Sequence, residues 1–298
     1  LCFFLLPLAG YAQDAPCNQY PVALTAIRQY QYEKALQLLS TCYIADPGNP
    51  EYLLQIGYCH SQLGRYKDAR MFYSRILRSD SLHVEAIIAL AGISERENNY
   101  RQASDGYRTL ISLDPENSYY HKKAGYAALK LGNPLGGVFS FLEAWRLNEA
   151  DMEAAEQLST LYIELEADSS AMQVLRRGLL LDPGNVRLLQ NSARLANKRK
   201  EYPEVVSAIE ATRARGDSSH YYQMLLAVAY MQLDSTDAAI PLLEDLEEKG
   251  KGSEHVYHYL GLAYRKKGQL EAGAAWYRKA IDAAISKKTG LYYADLAA

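Results

Sequence analysis

Three hexapeptides decide how this chain is read: Tyr30-Gln31-Tyr32-Glu33-Lys34-Ala35, Gly64-Arg65-Tyr66-Lys67-Asp68-Ala69 and Asn98-Asn99-Tyr100-Arg101-Gln102-Ala103. Each has a tyrosine at its third place and an alanine at its sixth, and successive copies lie 34 residues apart. A fixed period of about 20 to 50 residues marks a stack of small supersecondary units, each unable to bury its apolar face alone. A frame opened at Pro16 runs through eight units to Lys287 without insertion or deletion.

The frame sorts residue size. Position 8 is Ala23, Gly57, Ala91, Gly125, Ser159, Ala193, Ala227 and Gly261, small every time. Position 20 is Ala35, Ala69, Ala103, Gly137, Ala171, Val205, Ala239 and Gly273. Position 24 is large throughout: Leu39, Tyr73, Tyr107, Phe141, Leu175, Ile209, Leu243 and Tyr277. Positions 4, 7, 8 and 11 share one helical face, and positions 20, 24 and 27 share another. Each unit therefore reads as two amphipathic helices whose axes approach closely at the small residues. Gly64, Asn98, Gly132 and Gly268 mark the turn between them, and Asp46-Pro47, Asp114-Pro115 and Asp182-Pro183 stop the second helix.

Small residues at 8 and 20, an aromatic at 17 (Tyr32, Tyr66, Tyr100, Tyr202) and the closing Pro resemble the tetratricopeptide repeat. The resemblance implies an all-α fold, a right-handed superhelical solenoid of antiparallel helix pairs. Units six and seven depart most from the pattern, with Ser192, Val205, Thr212 and Thr236. The expected organisation is a signal-peptide remnant over 1–12, a linker over 13–15, eight repeats over 16–287, and over 288–298 the first helix of a truncated ninth repeat, its stripe carried by Tyr293, Leu296 and Ala297.

The remnant is read from the apolar run Leu1 to Leu8 followed by Gly10 and Ala12, with cleavage expected after Ala12. It is shorter than the roughly 20 apolar residues a membrane span needs. A ragged apolar tail of a cytosolic protein is the competing reading. The residue after Ala9-Gly10 is Tyr11 and not cysteine, which argues against a lipid anchor. A secretory signal points to a periplasmic or secreted protein of the cell envelope. There Cys17 and Cys42, at positions 2 and 27 of one antiparallel hairpin, come within disulfide reach. Two unpaired small hydrophobes are the alternative, and Cys59 reads as a buried free thiol.

Composition excludes several functions. Among 298 residues, 32 are basic and 35 acidic, for a net charge of −3, so nothing draws the chain to nucleic acid. Gly250-Lys251-Gly252-Ser253 lacks the spacing and the preceding strand of a phosphate loop. His255 and His258 share a helix face, with His220 one unit earlier, but no further ligand completes a metal site. No nucleophile, acid–base pair or cofactor signature emerges, so neither an enzyme nor a cofactor is expected.

In the tetratricopeptide family, positions 2, 5, 9, 12 and 13 of the first helices line a concave groove that meets a protein or peptide partner. Carried onto this chain, they give Tyr58, Tyr119, Lys122 and Tyr126 in the first half, with Tyr20, Leu24, Ile27, Leu54, Ile88 and Leu129 beside them. Glu153, Glu156 and Glu164 follow, then Arg187, Arg194 and Lys198, then Tyr221, Met224, Val228 and Met231, and finally His255, His258, Arg265 and Lys266. Lys122 at position 5 is followed by Tyr126 at position 9, which excludes the carboxylate clamp by which some family members hold chaperone tails. The reading is a non-enzymatic interaction scaffold. The rivals are the extracytoplasmic sensor portion of a longer signalling protein and a glycan- or small-molecule-binding envelope protein.

Overall fold

The computed structural model describes residues 17–217 and 219–284. The expected signal segment, its cleavage after Ala12, the linker, the last residues of the eighth repeat and the ninth-repeat helix lie outside the described residues. Within them, helices form in pairs: α1 (Tyr20–Arg28) with α2 (Tyr32–Ala45), α3 (Pro50–Gln62) with α4 (Tyr66–Ser79), α5 (Val84–Arg96) with α6 (Tyr100–Leu113), and α7 (Ser118–Lys130) with α8 (Pro134–Leu147). The series continues with α9 (Met152–Glu164) and α10 (Asp168–Leu181), α11 (Val186–Lys198) and α12 (Tyr202–Arg213), α13 (His220–Gln232) and α14 (Thr236–Leu246), and α15 (Glu254–Lys266) and α16 (Leu270–Ala283). Second helices start every 34 residues from Tyr32, and first helices do so from Pro50. No strand occurs among the described residues. The fold is an all-α solenoid of antiparallel helix pairs.

One backbone device closes every first helix. The residue at position 15 has positive φ in all eight pairs: Tyr30, Gly64, Asn98, Gly132, Glu166, Lys200, Asp234 and Gly268. The next N–H then reaches back five residues, as from Gln31 to the carbonyl of Ala26 at 2.9 Å and from Ala167 to that of Tyr162 at 2.8 Å. This is the Schellman closure, which satisfies carbonyls the helix end leaves free. Only three of the eight residues are glycine, so hydrogen bonding holds the left-handed conformation where the side chain opposes it.

A second device ends the pair. Asp46, Asp80 and Asp182 turn their Oδ1 onto the N–H two residues on, at 3.1 to 3.3 Å, and Asn148 does the same at 3.2 Å. Two of these four have no following proline, so the carboxylate or amide makes the turn itself. After α14 a π-turn (Glu247–Lys251) with Gly250 at φ +67° replaces it.

The chain divides into two compact units, one up to Gly136 and one from Gly137. In the first, each helix from α1 to α7 packs on the next, and α3 also meets α5. In the second, α9 to α16 pack in the same succession, with α9 meeting α11 and α13 meeting α15. All residues at positions 8, 20 and 24 are buried. Two of the glycines among them have a clear steric reason. A Cβ on Gly57 would stand 2.7 Å from the ring of Tyr73, and one on Gly261 would stand 2.6 Å from that of Tyr277. Where the pattern departs, the structure compensates: buried Thr212 donates its hydroxyl to the carbonyl of Ile209 at 2.8 Å. Buried Ser159 accepts from the Nδ2 of Asn191 at 2.8 Å, linking α9 to α11.

Cys17 and Cys42 are joined by a disulfide, their Cα atoms 5.3 Å apart. It ties the segment before α1 to the end of α2, in the pair that has a neighbour on one side only among the described residues. Cys59 is a buried free thiol, and burial, aided by the charge of Glu33, pushes its pKa up to about 11.

Two outcomes follow. Gly57→Val should lower unfolding stability by about 2 kcal/mol in urea titration, and Tyr73→Leu added to it should recover part of the loss. Strictly additive losses would show that the two positions do not meet. Cys42→Ala should cost about 3 kcal/mol, with hydrogen-exchange protection lost in α1 and α2 first; a uniform loss along the chain would refute a local staple.

Candidate functional site

The first helices bury one stripe against their own second helix and the next pair, and what remains outward is the candidate surface. In the first unit it carries Tyr58 and Tyr119, 39% and 46% exposed, with Lys122 and Tyr126 half-buried beside them. Aromatic neighbours fix the exposed rings. Tyr58 meets Tyr32 edge-on at 6.1 Å, and Tyr32 meets Tyr30 edge-on at 6.4 Å. Tyr119 stands edge-on to Tyr120 at 6.1 Å. Burial and the neighbouring Tyr58 hold the phenol of Tyr32 above its usual pKa. Each of these side chains offers a ring face and a hydroxyl able to donate and accept.

In the second unit Tyr221, 59% exposed, opens α13 and packs against Tyr222 at 5.0 Å in a T-shaped pair. Arg187 and Arg194 on α11 are brought toward this pair. Burial raises the pKa of Tyr222, and the guanidiniums of Arg194 and Arg187 oppose that rise. Arg187 is exposed, whereas Arg194 and Met224 are half-buried. Arg194 also donates to the Oδ1 of Asn191 at 3.4 Å. The unit thus gathers two guanidiniums, a tyrosine pair and a thioether. Tyr and Arg are the residue types enriched where interfaces concentrate their binding energy, and the guanidiniums are complementary to acidic groups. Tyr222, at position 3, lies outside the family's groove positions and was not expected; only its adjacency to Tyr221 signalled it.

Several expected groove residues are otherwise engaged. Met231 is 4% exposed and belongs to the core of the second unit, so its outward placement is corrected: position 12 turns under the neighbouring pair there. Lys198 is paired with Asp168 at 2.9 Å, and Lys266 with Asp234 at 2.8 Å while also donating to the carbonyl of Met231 at 3.2 Å. These lysines tie adjacent repeats together and contribute little net charge to the surface. The ring of His258 packs against those of Tyr259 and Tyr277, at 5.7 and 5.6 Å. Among the described residues no group of three or more His, Cys, Asp or Glu gathers as a metal ion would need, and no helix is long and apolar enough to cross a membrane.

Family models of the tetratricopeptide repeat match residues 26–83 and 254–284. A curated relative, an uncharacterised lipoprotein of Treponema pallidum, is 22% identical over 147 residues, 49% of this chain and 74% of that protein. The other curated relatives are spanned over only 20% to 41% of their own lengths. Among solved structures, a tetratricopeptide repeat protein from Parabacteroides merdae is similar at a TM-score of 0.56 and 18% identity, over 83% of this chain and 97% of that one. YrrB, described as having an unusual peptide-binding site, is similar at 0.54 and 18% identity, over 65% of this chain and 97% of its own. At such identities the likeness is one of fold.

Proposed function

The chain carries tetratricopeptide repeats, and we propose that it is a non-enzymatic interaction scaffold that binds a protein or peptide on the outward faces of its first helices, eight repeats over 16–287 supplying them. The observation that carries this reading is the set of tyrosines the repeat does not need. Tyr107 and Tyr277 fill position 24 and are buried, whereas Tyr58, Tyr119 and Tyr221 are exposed and are not among the buried core residues. Large outward aromatics held by edge-on neighbours are pre-ordered for contact, so little side-chain freedom is lost on binding. Arg187 and Arg194 add a preference for acidic partners. YrrB's description as peptide-binding is said of that protein and supports the class of ligand.

The proposed location is an oxidising compartment of the cell envelope, periplasmic or secreted. The Cys17–Cys42 disulfide supports it, as does the lipoprotein designation of the treponemal relative.

Selection of a random peptide library on the purified chain tests the function. Peptides so obtained should lose roughly tenfold or more in affinity to either Tyr58→Ala with Tyr119→Ala or, separately, Tyr221→Ala, with circular dichroism unchanged. Tyr58→Phe should retain most of the binding. Undiminished affinity in both variants would end the assignment, and calorimetric binding of an oligosaccharide panel with no peptide selected would replace it with the glycan reading.

A further inference from the structure

The second unit has a cavity on residues quite apart from those outward tyrosines. It measures about 740 Å³ and lies among α8, α9 and α10, within the range of about 300 to 1,000 Å³ typical of ligand pockets. Its apolar surface comes from Leu142 and Trp145 on α8 and from Val174 and Leu181 on α10, with Tyr162 of α9 contributing a ring. The sequence marks α8 as exceptional here. Leu142 occupies position 25, where the other seven repeats carry only serine, arginine or glutamate. One turn earlier, Phe139 is 65% exposed, and across the cavity Leu180 is 80% exposed. At position 25 an apolar side chain has therefore replaced the solvated ones of the other repeats, and together with exposed Phe139 and Leu180 it gives this region an apolar surface of the kind that marks an interaction site.

The charges at the rim say what kind of occupant fits. The two carboxylate oxygens of Glu149 accept from Arg177 at 2.5 and 2.6 Å, so that pair is neutral. The carbonyl of Glu149 also accepts from the indole N–H of Trp145 at 3.2 Å, which fixes the ring as one wall. Arg176 lines the same cavity, is exposed, and has no partner among the described residues. An apolar cavity with one unopposed guanidinium at its edge is complementary to an apolar group followed by a carboxylate.

We propose that this cavity docks a peptide segment of a partner protein in which two adjacent large apolar side chains enter between α8 and α10 and a following Asp or Glu meets Arg176. The site is independent of the tyrosine surface, so failure of either leaves the other standing.

The chain has two tryptophans, Trp145 and Trp276, which supplies the test. In the full chain carrying Trp276→Phe, Trp145 is the sole indole reporter. The probe is acetyl-Gly-Ser-Leu-Leu-Glu-Ser-Gly-amide, compared with versions carrying Lys for Glu or Ser for both leucines. The Leu-Leu-Glu peptide should shift Trp145 emission saturably, the Lys version should bind about threefold more weakly, and the Ser version should leave emission unchanged. Arg176→Glu, on the exposed face of α10, should keep the fold by circular dichroism and reverse the preference between Glu and Lys peptides. Leu142→Glu should abolish binding of both the Glu and the Lys peptides. Trp145 emission unmoved by the leucine peptide, equal affinity for the Glu and Lys versions, or an Arg176→Glu variant with unaltered preference would each overturn the proposal.

Discussion

The rings of Tyr73 and Tyr277 occupy the space that a side chain on Gly57 or Gly261 would need, and the architecture depends on this exclusion. A helix pair approaches closely where one partner offers a small side chain or none, and the large residue at position 24 then fills the room so made. Dispersion contacts at such separations are individually small and collectively large. Because the small and large members belong to the same repeat, each pair defines its own geometry. Stacking then repeats that geometry 34 residues later, so that stability builds from local units and their interfaces with neighbours.

The parts of the fold carried by side-chain size were legible in the sequence. Positions 8, 20 and 24 are buried wherever the 34-residue frame puts them, including in the divergent sixth and seventh repeats. The parts carried by backbone hydrogen bonds were less legible. Glycine and asparagine announce the turn at Gly64, Asn98, Gly132 and Gly268, but Tyr30, Glu166, Lys200 and Asp234 adopt the same left-handed conformation without a compositional sign. Proline likewise advertises the end of a pair at Asp46-Pro47, yet Asp80 and Asn148 make the same turn through their own side chains. A periodic frame locates such turns when residue type does not.

Surface chemistry was legible only in outline. Position alone placed Tyr58, Tyr119 and Tyr221 outward, and they are outward. It also placed Met231 there, but packing of the following pair covers it. The basic residues of α11 separated by role: Lys198 binds Asp168 across repeats, while Arg187 stays exposed near the Tyr221–Tyr222 pair. Which of two similar cations is a strut and which is available depends on the partner one repeat away, a relation that appears once both helices are placed.

The left-handed residue at position 15 has a further consequence. Its geometry is held by the N–H of the next residue bonding back to a carbonyl five residues earlier, whatever side chain it bears. A tyrosine, a glutamate, a lysine and an aspartate have all been accepted there, each at a conformational cost of about 1 kcal/mol against glycine. The backbone thus provides an exposed display position once per repeat, which takes aromatic, acidic, basic and amide side chains alike. Such a position lets members of a repeat lineage diverge in what they present while the scaffold beneath them stays unchanged.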